Sequence, residues 1–258
     1  MSMKYFLSDW FYLSIRNIKQ IWRPWLALLP SLIIPIFFFW VSSQAFSSVS
    51  RLPGFPTESY LLFIAPLAIF MSIFFSAGNA GIELVVDISS GYFNKLLIMP
   101  INKLAIIFGK LTEVAVQATL QGLIVLLFLV IFTDVRPATG ALGIFAMFAM
   151  LVLFAMAWSN LGMIFALQTK NPRLVQSLFI IGFPFLYITS GQIPREFMPK
   201  TFATLVSFNP VTYVIDGTRA LMLSSWSDPA ILEGFLIAII MFAILTCITL
   251  LSFRKVLK

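Results

Sequence analysis

The sequence predicts an all-α polytopic membrane protein with six transmembrane helices, and three observations carry that reading. Six runs contain no Asp, Glu, Lys or Arg: those between Arg23 and Arg51, Glu58 and Glu83, Glu113 and Asp134, Arg136 and Lys170, Arg173 and Arg195, and Glu233 and Arg254. Each has about the 20 apolar residues that a helix needs to cross a bilayer core. The 258-residue chain is 60% hydrophobic and only 10% charged, where soluble domains carry roughly 25% charged residues. Its 28 Phe and 6 Trp suit lipid-facing surfaces and interfacial belts. The runs fill most of the chain and leave no room for a soluble catalytic domain.

Residues 4–23 read as an amphipathic helix, with Leu7, Phe11, Ile15, Ile18 and Trp22 on one face and Asp9, Arg16, Gln20 and Arg23 on the other. Such a helix is expected to lie in the membrane interface. Pro24 turns the chain into a first span, 25–45, in which Pro30 and Pro35 are expected to introduce kinks. The second span, 60–80, ends in small and polar residues: Ser76, Gly78, Asn79 and Gly81. These suit close helix packing or, for Asn79, the lining of a pathway.

A short helix is expected over 87–99. Asp87, Ser89 and Ser90 are capping residue types, Tyr92, Phe93, Leu96, Leu97 and Ile98 form an apolar run, and Pro100 stops it. Two turns of helix are not stable alone in water, so these side chains are expected to be buried by the bilayer surface or by a partner protein. Asn102 can cap the third span, 104–132, where Lys110 and Glu113 are spaced to pair. Gln117 and Gln121 share one face within the membrane, and either hydrogen-bond another helix or line a substrate path.

The fourth span covers 142–167 and the fifth 174–190, with Gly182 and Pro184 inside the latter. Residues 191–229 hold two apolar stretches, Met198–Phe208 and Val211–Leu223, each too short to cross. They read as an extracellular re-entrant hairpin. Asn209 is a good N-cap and Pro210 a good first helical residue. Asp216 and Arg219 are spaced to pair, either as a solvated couple or as part of an outer gate. The sixth span, 235–251, is stopped by Arg254 and Lys255.

With the N-terminus cytoplasmic, 12 of the 17 lysines and arginines fall in cytoplasmic segments. The excess of positive charge on that side favours cytoplasmic placement of both termini. It also explains the net charge of +7 without nucleic acid. Ser43-Gln44-Ala45 could pass for a cleavage site, but the long stretch before it, with Trp10 and Trp22, does not suit a signal peptide. The chain has no His and one Cys, Cys247. That excludes an internal disulfide, a Cys/His metal cluster and a Ser-His or Cys-His nucleophile pair. There is no phosphate-binding G-x-x-x-x-G-K-[ST] loop. A passage-like architecture with no visible energy source calls for a partner that supplies the energy.

Two stretches carry a resemblance. One contains Gly91, Leu96, Leu97, Pro100, Ile101, Asn102, Lys103, Gly109 and Lys110; the other contains Ser190-Gly191, Pro194, Pro199, Asn209-Pro210, Val211-Thr212-Tyr213, Asp216 and Arg219. In order, within six spans, they resemble the ABC-2 type permeases, the membrane subunits of bacterial ATP-binding-cassette exporters. The stretch from Asp87-Ile88 to Tyr92-Phe93 departs from the commoner Arg-x-x-Gly-Thr wording. The resemblance implies a prokaryotic plasma-membrane permease that is not itself an enzyme. Asp87, Gly91, Tyr92, Phe93, Leu96, Leu97 and Pro100 would form a coupling helix docked on a separate ATPase. Two ATPase subunits, which bind the ATP and Mg, and a second permease chain would complete the complex. Asn79, Gln117 and Gln121 would be pathway candidates, and Asp216 and Arg219 outer-gate candidates. The resemblance implies a drug, antibiotic or other amphipathic substrate, with polysaccharide or lipid-linked glycan as the alternative. A non-transport assembly role is the reading from another class.

Overall fold

Long runs of Leu, Ile, Phe and Ala with few breakers fold into helices of up to 30 residues. The computed structural model describes residues 3–21, 26, 29–133 and 135–256. In chain order the helices are α1 (Met3–Ile21), α2 (Leu29–Ala45), α3 (Tyr60–Ser89), α4 (Tyr92–Ile98), α5 (Leu104–Phe132) and α6 (Gly140–Thr169). They continue as α7 (Pro172–Gly182), α8 (Pro184–Tyr187), α9 (Lys200–Phe208), α10 (Pro210–Leu223) and α11 (Pro229–Val256). Four of them, α3, α5, α6 and α11, are long and apolar enough to cross a membrane. These correspond to the second, third, fourth and sixth expected spans, and α5 has the expected limits.

The other two expected spans differ. The first is represented by α2, 17 residues long, with Pro30 in its first turn, where a proline is tolerated. The fifth, 174–190, is not one helix. It breaks at Phe183 into α7 and α8, because Pro184 has no N–H to continue the ladder. Span two also overruns its expected end at Ala80 and continues to Ser89. Glu83 and Asp87 do not stop it, since each has a basic partner on another helix.

The packing is centred on α3. In its most apolar stretch 83% of residues are buried, against 22% for α11. The central helix packs on α2, α5 and α6, while α11 lies against α6 and α10. Where α3 crosses α6 the backbones touch: a Cβ on Gly81 would lie 2.5 Å from the carbonyl carbon of Gly162. The small residues around Gly81 on α3 are therefore used for close packing. One core cluster surrounds Phe63, Phe70, Phe74 and Phe154. A second, near α4, gathers Leu84, Phe93, Ile107, Leu111 and Phe253.

Helix α1 lies along α5 in an orientation the sequence did not suggest. Leu7 and Phe11 are exposed, together with Tyr5 and Tyr12. Ser14 and Asn17 are buried. Trp10 Nε1 donates to Thr112 Oγ1 at 2.8 Å and to Phe108 O at 3.2 Å. The inward side of α1 mixes Phe6, Trp10, Leu13 and Ile21 with Ser14 and Asn17, while part of the expected apolar face, Leu7 and Phe11, is turned outward. Trp22, Arg23 and Pro24, expected at the end of this helix and the turn after it, lie outside the described residues.

Candidate functional site

At one end of the bundle α3 turns into α4 through Gly91. Its φ of 75° is left-handed, a conformation open to glycine at little cost. The expected caps are elsewhere: Asp87 and Ser89 belong to α3, and Ser90 is its C-cap. The helix expected over 87–99 is thus Tyr92–Ile98 alone. Two of its apolar side chains are buried by the chain itself, where the sequence left their burial to the bilayer surface or a partner protein. Phe93 is 2% exposed and Leu96 5%, and the Phe93 ring meets Phe253 of α11 edge-on at 6.0 Å. Tyr92 and Leu97 are half-buried. What projects is the tip: Ile98 is 85% exposed and Met99 46%, with Pro100, Asn94 and Lys95 also exposed.

The tip is braced. Lys103 Nζ donates to Leu96 O at 3.1 Å, a carbonyl that α4 leaves unpaired, and to Met99 O just beyond it at 2.6 Å. Asn102 Oδ1 accepts from Leu104 N at 3.0 Å, as its capping type predicts. From α1, Asp9 Oδ2 accepts from Asn102 N at 2.8 Å. Arg16 holds Asp87 through two hydrogen bonds of 3.0 Å and lies 3.9 Å from the centre of the Tyr92 ring. Burial opposes the Arg16 charge, but the hydrogen bonds and field of Asp87 outweigh it, and its pKa is raised. Asp87 is therefore an internal brace, and sequence reading missed Arg16 and Asp9 as its companions.

Further along α5, Lys110 pairs with Glu113 at 2.8 Å as the spacing predicts, and also with Glu83 at 2.8 Å. Gln117 and Gln121 are buried on the same face. Asn79 is half-buried on α3. None of these three pathway candidates lines the apolar, partly open cavity of about 420 Å³ between α3, α6, α7, α8, α10 and α11. Trp158, Phe165, Val175, Phe185 and Ile244 are among its walls. Nearby, Asn160 joins α6 to α11: it donates to Thr246 Oγ1 at 3.1 Å and accepts from Thr249 Oγ1 at 2.6 Å. The sequence signal for this clasp was a lone Asn within an apolar run.

At the opposite end of α3, the hairpin of α9 and α10 closes the bundle. Asn209 caps α10, accepting from Val211 N at 3.0 Å, and its amide holds the carbonyls of Phe185 and Ile188 at 2.7 and 2.6 Å. Asp216 and Arg219 pair at 2.7 Å. They are not an isolated couple. Arg195 reaches Asp216 Oδ2 at 2.8 Å and Ser190 Oγ donates to Oδ1 at 2.5 Å. Arg219 also donates to the carbonyls of Ser190 (2.9 Å), Gly191 (3.2 Å) and Phe63 (3.3 Å), and lies 3.9 Å from the centre of the Phe63 ring. Its side chain is 14% exposed and that of Asp216 21%.

Long apolar helices joined to a braced platform at one end and a polar hub at the other define a multi-pass membrane protein. Residues 8–223 match the family described as ABC-2 type transporter. The chain belongs to that family and is a permease of an ABC transporter. Proteins of this kind are the membrane subunits of transporters and work with ATPase subunits. Among its relatives is the putative transport permease ycf38 of Cyanophora paradoxa, 25% identical over 98% of this chain and 90% of that protein. The same-named protein of Porphyra purpurea is 25% identical over 79% of this chain and 70% of its own length. The probable multidrug ABC transporter permease YbhR of Escherichia coli is 24% identical over 67% of this chain and 46% of that protein.

Proposed function

We propose that this chain is the permease of an ATP-driven exporter in a prokaryotic plasma membrane. It crosses the bilayer six times with both termini cytoplasmic, α2 and the α7–α8 stretch serving as the two shorter crossings. Two such permeases, or this chain and a homologue, form the pathway at their interface. Two separate ATPase subunits bind the ATP and Mg and dock beneath α4. The observation that carries this reading is the α4 tip. Phe93 and Leu96 are anchored in the chain's own core while Ile98 and Met99 project from it. A knob held rigidly on one side and apolar on the other can transmit a push. By linkage, an ATPase moves the permease only if its states contact that knob differently.

The substrate proposed is a drug or other amphipathic molecule. The apolar cavity beside α6, α10 and α11 supports this, as does the printed name of the Escherichia coli relative. Asp216 and Arg219 would close the outer end of the pathway.

Burying a large apolar side chain is worth about 1.5–3 kcal/mol. Changing Ile98 and Met99 together to Asp is expected to weaken ATPase binding at least tenfold while the chain still inserts, since both positions lie outside its core. Co-purification with the ATPase measures this, and normal recovery from the double variant would count against docking at the tip. Orientation has its own test. Ser48 and Asn171 are exposed, and after Cys247 is replaced, a cysteine at 48 is expected to react with an impermeant thiol reagent in intact cells. One at 171 is expected not to. Reaction at 171 alone would reverse the topology.

A further inference from the structure

The apolar cavity beside α6 is held open by the way α11 is fastened. Toward one end, a Cβ on Gly234 would lie 2.9 Å from Tyr213 O of α10 and 2.6 Å from Met150 Sδ of α6. Toward the other, Thr246 and Thr249 bond Asn160 of α6, and Gln168 Nε2 of α6 donates to Ser252 Oγ at 3.4 Å. Between these fastenings, Ile240, Met241, Ile244 and Leu245 face the cavity. Gly78, Gly162 and Gly182 also line it and supply no side chain to fill it. A Cβ on Gly182 would come 2.5 Å from Trp158 Cζ2. Phe165, Ile181, Ile240 and Ile244 line the cavity and are exposed as well, so it opens at the side of the bundle.

The walls select hydrocarbon. Among the described residues, no charged one lines the cavity, and a charge left unpaired in such a place is costly. At about 420 Å³ it has nearly three times the roughly 150 Å³ of a dry apolar cavity that takes up benzene. That is room for one long chain. Charge waits just beyond, toward the α4 end. Lys170 lies little more than one helical turn past Phe165, and Arg173 opens α7 two residues before the lining Val175. The Gln168–Ser252 bond brings the end of α11, with Arg254 and Lys255, to the same level. All four basic side chains are exposed, and none forms an ion pair among the described residues. Helices α6, α7 and α8 contain no Asp or Glu, and the one acid of α11, Glu233, is at its other end. On α3, Glu83 and Asp87 are taken by Lys110 and Arg16. Basic residues gather on the cytoplasmic side of membrane proteins in general. Here they stand without acids over an apolar slot.

We propose that the cavity and this basic collar form a loading site for an anionic amphiphile with a single long hydrocarbon chain. The chain enters sideways from the cytoplasmic leaflet, and the headgroup stays at Lys170 and Arg173. The inference rests on the exporter reading and names the chemistry of its substrate. Asn209 ties the site to the outer hub. Its amide holds Phe185 O, Phe185 and Val211 line the cavity, and Val211 shares α10 with Asp216 and Arg219. That continuity favours a passing substrate over a resident lipid.

Binding to the full chain in nanodiscs of zwitterionic lipid, without the ATPase, tests this. The probe is an alkyl phosphate brominated in mid-chain, which quenches indole fluorescence on contact. Wild type is expected to show saturable quenching, most of which disappears in Trp158→Phe. Lys170→Gln combined with Arg173→Gln is expected to weaken binding roughly tenfold or more. Leu178→Phe combined with Leu245→Phe fills the cavity and is expected to abolish binding with helix content unchanged. A trimethylammonium probe of equal chain length should bind at least roughly tenfold more weakly than the phosphate, since the collar repels it. Quenching that does not saturate, or that persists unchanged in Trp158→Phe, overturns the proposal. Equal binding of the cationic probe, or of the phosphate to the collar variant, overturns it too. A phospholipid that co-purifies with wild type and is lost from the filled variant would make this a resident-lipid site and overturn loading. Export is read separately, in proteoliposomes with the ATPase. Saturable binding without ATP-driven export of the probe supports the site and counts against the exporter reading, whereas export without saturable binding counts against the site alone.

Discussion

Asp216→Ala is expected to be among the most damaging single changes in this protein, and more damaging than Arg219→Ala. Removing Asp216 leaves two guanidinium groups, those of Arg195 and Arg219, without their carboxylate. Removing Arg219 instead leaves Asp216 still bonded to Arg195 and Ser190. Breaking a buried pair by taking one partner costs about 3–5 kcal/mol, against up to about 1 for an exposed one. Asp216→Ala with Arg219→Ala should be milder than Asp216→Ala alone, since the double change leaves fewer unpaired charges. Arg195→Ala should be the mildest, because that side chain is 32% exposed. Thermal stability of the purified chain and its level in the membrane read the series. All three single variants within a few tenths of a kcal/mol of wild type would make the hub a solvated surface cluster.

Gly81→Ala is the second large effect. Two terms oppose each other. In a helix interior Ala is favoured over Gly by about 0.8–1 kcal/mol, while overpacking costs about 1–3 kcal/mol. At Gly81 the new Cβ would sit 2.5 Å from backbone atoms of Gly162, which cannot rotate away, so overpacking wins. At Gly162 the nearest atom is Gly81 Cα at 3.2 Å, and the terms come close to balance. Gly81→Ala should therefore lower the melting temperature clearly, whereas Gly162→Ala should change it little. Equal effects at the two positions would mean that α3 and α6 are free to separate.

What could be read from the sequence was local. The limits of α5 follow from the Asn102 side chain at its start and a mostly apolar run without Pro. Asn209-Pro210 marks the start of α10, and the pairs Lys110–Glu113 and Asp216–Arg219 are one helical turn apart. What could not be read was distant in the chain. Glu83 and Asp87 looked like the end of a span because nothing near them is basic enough to pair with. Their partners are Lys110 and Arg16, 27 and 71 positions away. The same distance hid the burial of Phe93 against Phe253, and with it the fact that the exposed part of α4 is its tip. Arg195 escaped notice because it lies 21 positions from Asp216, with all of α9 between them. The Gly182 and Pro184 signals were visible, but an apolar run read as a span conceals a break within it.

The most direct test is ATP hydrolysis by the P-loop partner in proteoliposomes containing this chain. Wild-type permease is expected to stimulate hydrolysis and to move an amphipathic fluorescent compound in an ATP-dependent manner. The Ile98→Asp, Met99→Asp variant, inserted at equal density and with equal helix content, is expected to lose both. Equal stimulation by the variant, or none by the wild type, would contradict the exposed tip of α4 as the point where the energy of ATP enters the membrane.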